Sequence, residues 1–359
     1  MSNYIEYNGK IAFHPGYYIK EIVEESGLTQ EDFAKRLDTT PKNLSLIIRG
    51  EQSLSIDIAM KLSRLIGTSV KYWLNIQNAY DALIAEFKSE EELAEEREIF
   101  EYFDYRFFRE NYGLPDLPRQ KDEQIKALRT FLNVATLTVL CKRDMAVSFR
   151  SSTEHLAEAG IVKANAMVQI ATNKALKIDA PRFNKKKFEE AVKYALTLTR
   201  NHKEFYPLIR EAFLKTGVIF VILPNIAGSK TNGATKKIGD NIMLMVNDRR
   251  LYADSFWFTL FHEIGHIING DYGISFEKEK GEQEETADKF AQDSLIPSDQ
   301  YQKFIECEKF DLQSIKDFAN RINRDPGIVL GRLQNDKMVD FKDWSLKPLR
   351  HKYKVRTVI

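Results

Sequence analysis

Residues 255–270 read SFWFTLFHEIGHIING, and their spacing decides what the C-terminal half of this chain is. Inside the stretch stands His262-Glu263-Ile264-Gly265-His266, an HExxH motif. On a helix, positions i and i+4 lie one above the other, so both imidazoles can reach one metal ion. The Glu at i+1 then falls beside the open coordination position, where it can take a proton from water. Composition alone gives an HExxH in about one chain of this size per hundred, so the flanking text must carry the reading. Trp257, Leu260, Phe261, Ile264 and Ile267 stand at i, i+3, i+4, i+7 and i+10, one buried helical stripe. Asn269-Gly270 supplies the helix stop.

A catalytic zinc usually takes three protein ligands, and no histidine follows His266 before His351. The third ligand is therefore sought among the carboxylates of 277–291, EKEKGEQEETADKFA. Ala287, Ala291 and Leu295 set an inward stripe there, with Glu284 and Asp288 on or beside it. Glu285 pairs with Lys289 at i+4 on the solvent side. The spacing selects Glu284 to join His262 and His266 on one Zn²⁺ per chain. Glu263 is the catalytic base, and Asp288 accepts an N–H from a ligand histidine. His202 and Tyr252 are weaker candidates for stabilising an oxyanion.

Upstream, a helix at 208–216 leads through Gly217 into VIFVIL, a buried strand. A Gly- and Asn-rich loop over 225–233 precedes a second strand at 241–246. This region reads as α+β and everything before it as all-helical. Downstream, 311–333 is helical by pattern. The tail LKPLRHKYKVRTVI is basic and strand-like, and is expected to pack on the metal-binding domain.

At the other end, apolar residues recur at helical spacing from Gly16 to Leu83 as five short helices. Residues 28–50, LTQEDFAKRLDTTPKNLSLIIRG, carry two of them around a tight turn at Asp38-Thr39. Thr40 caps the second helix and Pro41 begins it. That helix buries Leu44, Ile47 and Ile48 and leaves Lys42, Asn43, Leu46 and Arg49 outside, as a major-groove reader requires. The expected DNA contacts are Gln30, Thr40, Lys42, Asn43, Ser45 and Arg49, with Gln30 on a phosphate. Over 35–49, four basic residues stand against Asp38, a local +3. Over 1–84, nine basic face ten acidic residues, so one copy would bind weakly. A homodimer on a two-fold operator repairs that, with helical residues 70–110 available as the interface.

The whole chain has 53 basic and 52 acidic residues, so no global field advertises nucleic acid or membrane. Cys141 and Cys307 form no CxxC pair, no apolar run approaches a membrane span, and the N-terminus is not a signal peptide. The expectation is a soluble, cytoplasmic protein that engages no membrane. Between Glu86 and Asp104, nine acidic residues face only Lys88 and Arg97, a solvated helix face serving as a spacer. The expected domains are 1–84, a DNA-binding helical unit; 85–204, an acidic helical connector; 205–300, the metal-binding domain; and 301–359, a C-terminal extension.

Both ends resemble known families. Residues 14–81 resemble the Cro/C1-type (XRE) helix-turn-helix of the HigA antitoxin group, through HPGYYIKEIVEESGLTQEDFAKRL, TTPKNLSLIIRGEQSLS and TSVKYWLNIQNAYD. Residues 205–300 resemble the ImmA/IrrE zinc metallo-endopeptidases, through GVIFVILP, NGAT (232–235), DSFWFTLFHEIGHIINGD and EETADKFAQDSLIP. MAVSFRSS (145–152) is faintly similar to the connector of such fusions. The resemblance implies a mainly α multidomain chain: a five-helix, lambda-repressor-like bundle, a helical connector, and an α+β zincin-like domain of gluzincin type. It implies a transcriptional regulator that binds double-stranded operator DNA and hydrolyses peptide bonds in a repressor, a toxin partner or itself. Were the chain its own substrate, the acidic connector would be an exposed place to cut. The alternative is a non-proteolytic HigA-like antitoxin or repressor that uses the peptidase fold as a zinc sensor or partner surface. Glu263 favours the enzyme, because a sensor would be free to lose a residue that ligates nothing.

Overall fold

The computed structural model describes residues 3–142, 158–250, 252–276, 281–353 and 355. They form two compact units that divide after Glu95, within one long helix.

The first unit opens with a two-stranded antiparallel hairpin, β1 (Tyr4–Tyr7) and β2 (Lys10–Phe13), with Tyr4 opposite Phe13. Asn8 and Gly9 turn it with φ of 53° and 73°, the left-handed pair that a tight hairpin needs. The all-helical expectation is corrected here. Helices α1 (Pro15–Glu25), α2 (Gln30–Arg36), α3 (Pro41–Ile48), α4 (Ile56–Ile66) and α5 (Val70–Phe100) follow. Thr29, Thr40 and Ser55 each cap a helix by accepting the N–H three residues on. Their apolar faces close on one core that includes Ile19, Phe33, Leu37, Leu44, Ile47, Leu62 and Trp73. Ile48, expected inside, is only half-buried.

The fifth helix is not short. It runs 31 residues and carries the acidic run as far as Phe100. Eight of the nine acidic residues in that run are exposed, but Glu96 is buried. Its carboxylate accepts the Leu137 N–H at 2.6 Å and pairs with Arg129 at 3.3 Å, so the buried charge is compensated.

The second unit is built on a four-stranded sheet in the order β3-β5-β4-β6. Its strands are β3 (Val218–Leu223), β4 (Thr231–Ile238), β5 (Asn241–Asn247) and β6 (Gly273–Phe276). β3 and β5 are parallel, and β4 runs antiparallel to both of its neighbours. β4 and β6 correct the loop expectation: Thr231–Gly233 opens a strand, and β6 is a short strand of four residues.

Among the described residues, α6 (Tyr105–Tyr112), α7 (Lys121–Leu132) and α8 (Glu158–Ala175) follow α5. α8 packs on the sheet and is buried on almost every side. The expected connector thus contributes a layer of the second unit. α9 (Lys185–Thr197) and α10 (Phe205–Leu214) lead into β3. After β5 the chain forms α11 (Ala253–Asn269), then β6, α12 (Glu282–Leu295), α13 (Ser298–Ile305), α14 (Leu312–Arg321) and α15 (Pro326–Asn335). One apolar core joins Phe188 of α9, Trp257 and Phe261 of α11, Phe318 of α14, Leu333 of α15 and Leu349. Among the described residues, that core runs from Phe188 to Leu349. Among the described residues, no helix is long and apolar enough to cross a membrane.

Candidate metal centre

The apolar stripe anticipated from spacing anchors α11: Trp257, Leu260, Phe261, Ile264 and Ile267 are all buried. Gly270 closes the helix in the left-handed conformation, at φ 80°. α12 packs against α11 so closely that a Cβ on Gly265 would stand 3.2 Å from the Ala287 Cα. That approach brings Glu284 of α12 to the two histidines of α11.

The His262 and His266 Nε2 atoms lie 3.0 Å apart. Glu284 places Oε2 at 3.1 Å from the first and Oε1 at 3.3 Å from the second. All three residues are buried. Zinc bonded at about 2.0–2.1 Å in a tetrahedron spaces its ligands about 3.3 Å apart, so this donor set fits that ion. The other ring nitrogens are held from outside. His262 Nδ1 donates to Asp288 Oδ1 at 2.8 Å, and His266 Nδ1 donates to Asp271 Oδ2 at 3.0 Å. Nδ1–H donation turns the Nε2 lone pairs inward.

The electrostatics favour positive charge at the centre. Burial lowers the His262 pKa, but hydrogen bonds to Asp288 and Glu284 outweigh it and lift the imidazole to about 10. Burial pushes the Glu284 carboxyl up, and the imidazoles of His262 and His266 more than reverse that, holding it well below the usual carboxylate range. A metal cation meets the same demand by displacing a proton.

Glu263, beside the first ligand, is wholly buried. Its carboxylate lies under Gly233 of β4, where an added Cβ would stand 2.6 Å from Oε1. The absence of a side chain at Gly233 is what lets the carboxylate sit there. Glu285 is exposed, as its pairing predicted. A cavity of about 380 Å³ opens beside His262, Glu284 and Asp288. Phe258, Ile296, Ile328 and Phe341 make its apolar wall, and Asn232 and Arg250 its polar side.

Sequence reasoning missed Asp271, Ser275 and Gly233. Asp271 follows the helix stop, where helical period no longer guides. Ser275 of β6 brings its hydroxyl 3.4 Å from His262 Nε2. Removing the orienting carboxylate by Asp271→Ala is expected to weaken zinc about 10–100-fold, read by competition with a chromophoric chelator. Unchanged affinity would show that Asp271 does not orient the ligand. The two weak oxyanion candidates make other contacts. His202 lies outside this cavity, engaged with Asp325 and Tyr353. Tyr252 stacks beneath the Arg350 guanidinium at 4.6 Å.

In the first unit, the expected DNA contacts run from Gln30 at the start of α2 to Arg49 at the end of α3, and several serve the fold. Thr40 Oγ1 accepts the Asn43 N–H at 3.1 Å as the helix cap. The Asn43 amide donates to Thr39 Oγ1 at 2.9 Å and accepts from Gln52 Nε2 at 2.7 Å. Arg49 pairs with Glu51 at 2.9 Å. Lys42 is exposed, and Ser45 and Gln30 are half-buried.

A helix-turn-helix family model matches residues 19–73, and a peptidase family model described as an IrrE N-terminal-like domain matches 219–323. The chain is 37% identical over 79 residues to an uncharacterized HTH-type transcriptional regulator, YddM, of Escherichia coli, covering 21% of this chain and 84% of that protein. It is 36% identical over 76 residues to virulence-associated protein I of Dichelobacter nodosus, covering 21% and 70% respectively. Among solved structures, an addiction module antidote protein of a HigA family from Coxiella burnetii matches at 30% identity. That match covers 23% of this chain and 91% of that one, with a TM-score of 0.22. The chain thus belongs to the helix-turn-helix regulators and carries, in the same polypeptide, an IrrE N-terminal-like peptidase-family domain.

Proposed function

We propose that this protein is a DNA-binding transcriptional regulator, of the antitoxin or repressor kind, that carries its own zinc-dependent endopeptidase. The observation that carries the peptidase reading is the convergence of His262, His266 and Glu284, with Glu263 adjacent and buried against Gly233. Those three residues would hold zinc, which would supply Lewis acidity toward a scissile carbonyl and water. The rest belongs to the chain. Glu263 accepts the proton of the attacking water and returns it to the leaving amine, as a base that then becomes an acid. Asp288 and Asp271 keep the imidazoles oriented. The apolar wall of Phe258, Ile296, Ile328 and Phe341 takes a substrate side chain and excludes water.

The substrate is a regulatory protein rather than this chain's acidic run. That run, once the obvious place for self-cleavage, is helical to Phe100. A helix must unwind before its backbone can enter a cleft.

For the first unit, exposed Lys42 at the start of α3 supports operator binding. Lys42→Ala is expected to lower affinity for DNA fragments from upstream of the gene and to reduce the salt slope of binding by about 1 per site. Fluorescence anisotropy across a salt series reads both, and an unchanged slope removes Lys42 from the interface. Glu263→Gln tests the peptidase half.

A further inference from the structure

We propose that His202, Asp325 and His351 form a second metal site, which takes a divalent ion of the zinc class and fastens the C-terminal segment to the start of α11. This site is independent of hydrolysis and of the HExxH centre.

The three residues come from separate parts of the second unit. His202 lies between α9 and α10, Asp325 caps α15, and His351 follows the short 3-10 turn Trp344–Leu349. Asp325 is 1% exposed, which is costly for a carboxylate without compensation. Its Oδ1 accepts the Gly327 N–H at 2.8 Å, leaving Oδ2 to face His202 Nε2 at 3.1 Å and His351 Nδ1 at 3.3 Å. The HExxH centre shows the same two imidazole-to-carboxylate spacings, 3.1 and 3.3 Å. Among the described residues, these are the two groups whose His, Cys or carboxylate donors converge in threes.

The surroundings also match a metal site. Tyr353 Oη lies 2.8 Å from His202 Nδ1 and fixes that ring, while the Gly327 N–H fixes the carboxylate. Each imidazole turns one nitrogen to Asp325 Oδ2, and the two rings stack with centroids 3.8 Å apart at 25°. Two nitrogens and one oxygen form a borderline donor set that suits zinc over calcium or magnesium.

The position indicates what the ion does. The Ala253 N–H donates to the His351 carbonyl at 2.9 Å, and Tyr252 pairs with Lys352 as a β-bridge. Residues 252 and 253 begin α11, and His262 lies nine residues on, about 14 Å along the axis. An ion here staples the tail beside the first turn of the helix that presents the HExxH ligands. Lys352 adjoins the site and His351 is partly exposed, so this ion is held more weakly than the one at His262, His266 and Glu284.

The test uses the full chain, stripped of metal, reloaded with zinc and gel-filtered, with zinc per chain read by plasma mass spectrometry. About two ions are expected in wild type and about one in His351→Ala, in His202→Ala and in Glu284→Ala. The Glu284→Ala/His351→Ala double variant should hold almost none. If wild type holds one ion that Glu284→Ala removes, this proposal fails and the HExxH centre stands. Unchanged content in His351→Ala also overturns it. Loss in His351→Ala with none in Glu284→Ala sustains it and sinks the HExxH centre. A second readout guards against misfolded variants. In Glu284→Ala protein, zinc should slow trypsin cleavage at Arg350 and Lys352 about tenfold, and His351→Ala should abolish that protection. No protection by zinc in the single variant counts against the site.

Discussion

Glu263→Gln is expected to lower kcat/KM for peptide-bond hydrolysis by about 10²–10⁴-fold while the protein keeps its zinc. The amide matches the carboxylate in volume, so the packing beneath Gly233 survives. Neither atom of the new side chain can accept and return a proton as a carboxylate does. Glu263 is not among the three convergent donors, so metal content should not move. The assay is cleavage of co-encoded regulatory proteins by zinc-loaded enzyme, with metal measured on the same preparation. Equal rates for both proteins would show that Glu263 is not the base. In cells, gene regulation that survives the variant unchanged would make proteolysis irrelevant to function and return the alternative of a zinc-binding sensor.

The second large effect is expected thirty residues away in sequence. In Gly233→Ala the new Cβ meets the Glu263 carboxylate at 2.6–2.8 Å, closer than real Cβ contacts come. Either the carboxylate or β4 must shift, and a displacement of about 1 Å at a catalytic base can cost about 10²-fold. His262, His266 and Glu284 come from α11 and α12 and none from β4, so zinc should remain. A fall in kcat/KM with zinc and thermal melting retained identifies the contact as a positioning one. Wild-type activity in Gly233→Ala would show that the close approach is immaterial to catalysis.

What could be read beforehand follows one physical division. Positions fixed by a single helix were legible. The stripe from Trp257 to Ile267, the inward Glu284, the outward Glu285 and Asp288 beside them all follow from 3.6 residues per turn. Positions fixed by two elements meeting were not. Gly233 has meaning only because β4 passes over α11, and Asp271 lies beyond the helix stop. Asn43 looked like a base-reading amide, but its partner Gln52 comes from the loop after α3. The burial of helix α8 was hidden for another reason. Its text, EAGIVKANAMVQIATNKA, is small and mildly polar all round, with little amphipathic contrast. Asn165 is buried there, its amide donating to the Leu140 and Lys142 carbonyls. The β1–β2 hairpin, by contrast, was readable and overlooked: Asn8-Gly9 between YIEY and KIAF is the usual signature of its turn.

The most direct test of the central claim is the metal content of wild type and Glu284→Ala, purified without chelators and then offered zinc. Glu284→Ala is expected to lose about one zinc per chain relative to wild type, because a buried three-donor site is reduced to two imidazoles. Equal zinc in the two proteins, or none in either, would contradict a metal centre at His262, His266 and Glu284. The second unit would then be a peptidase-like fold without its metal chemistry.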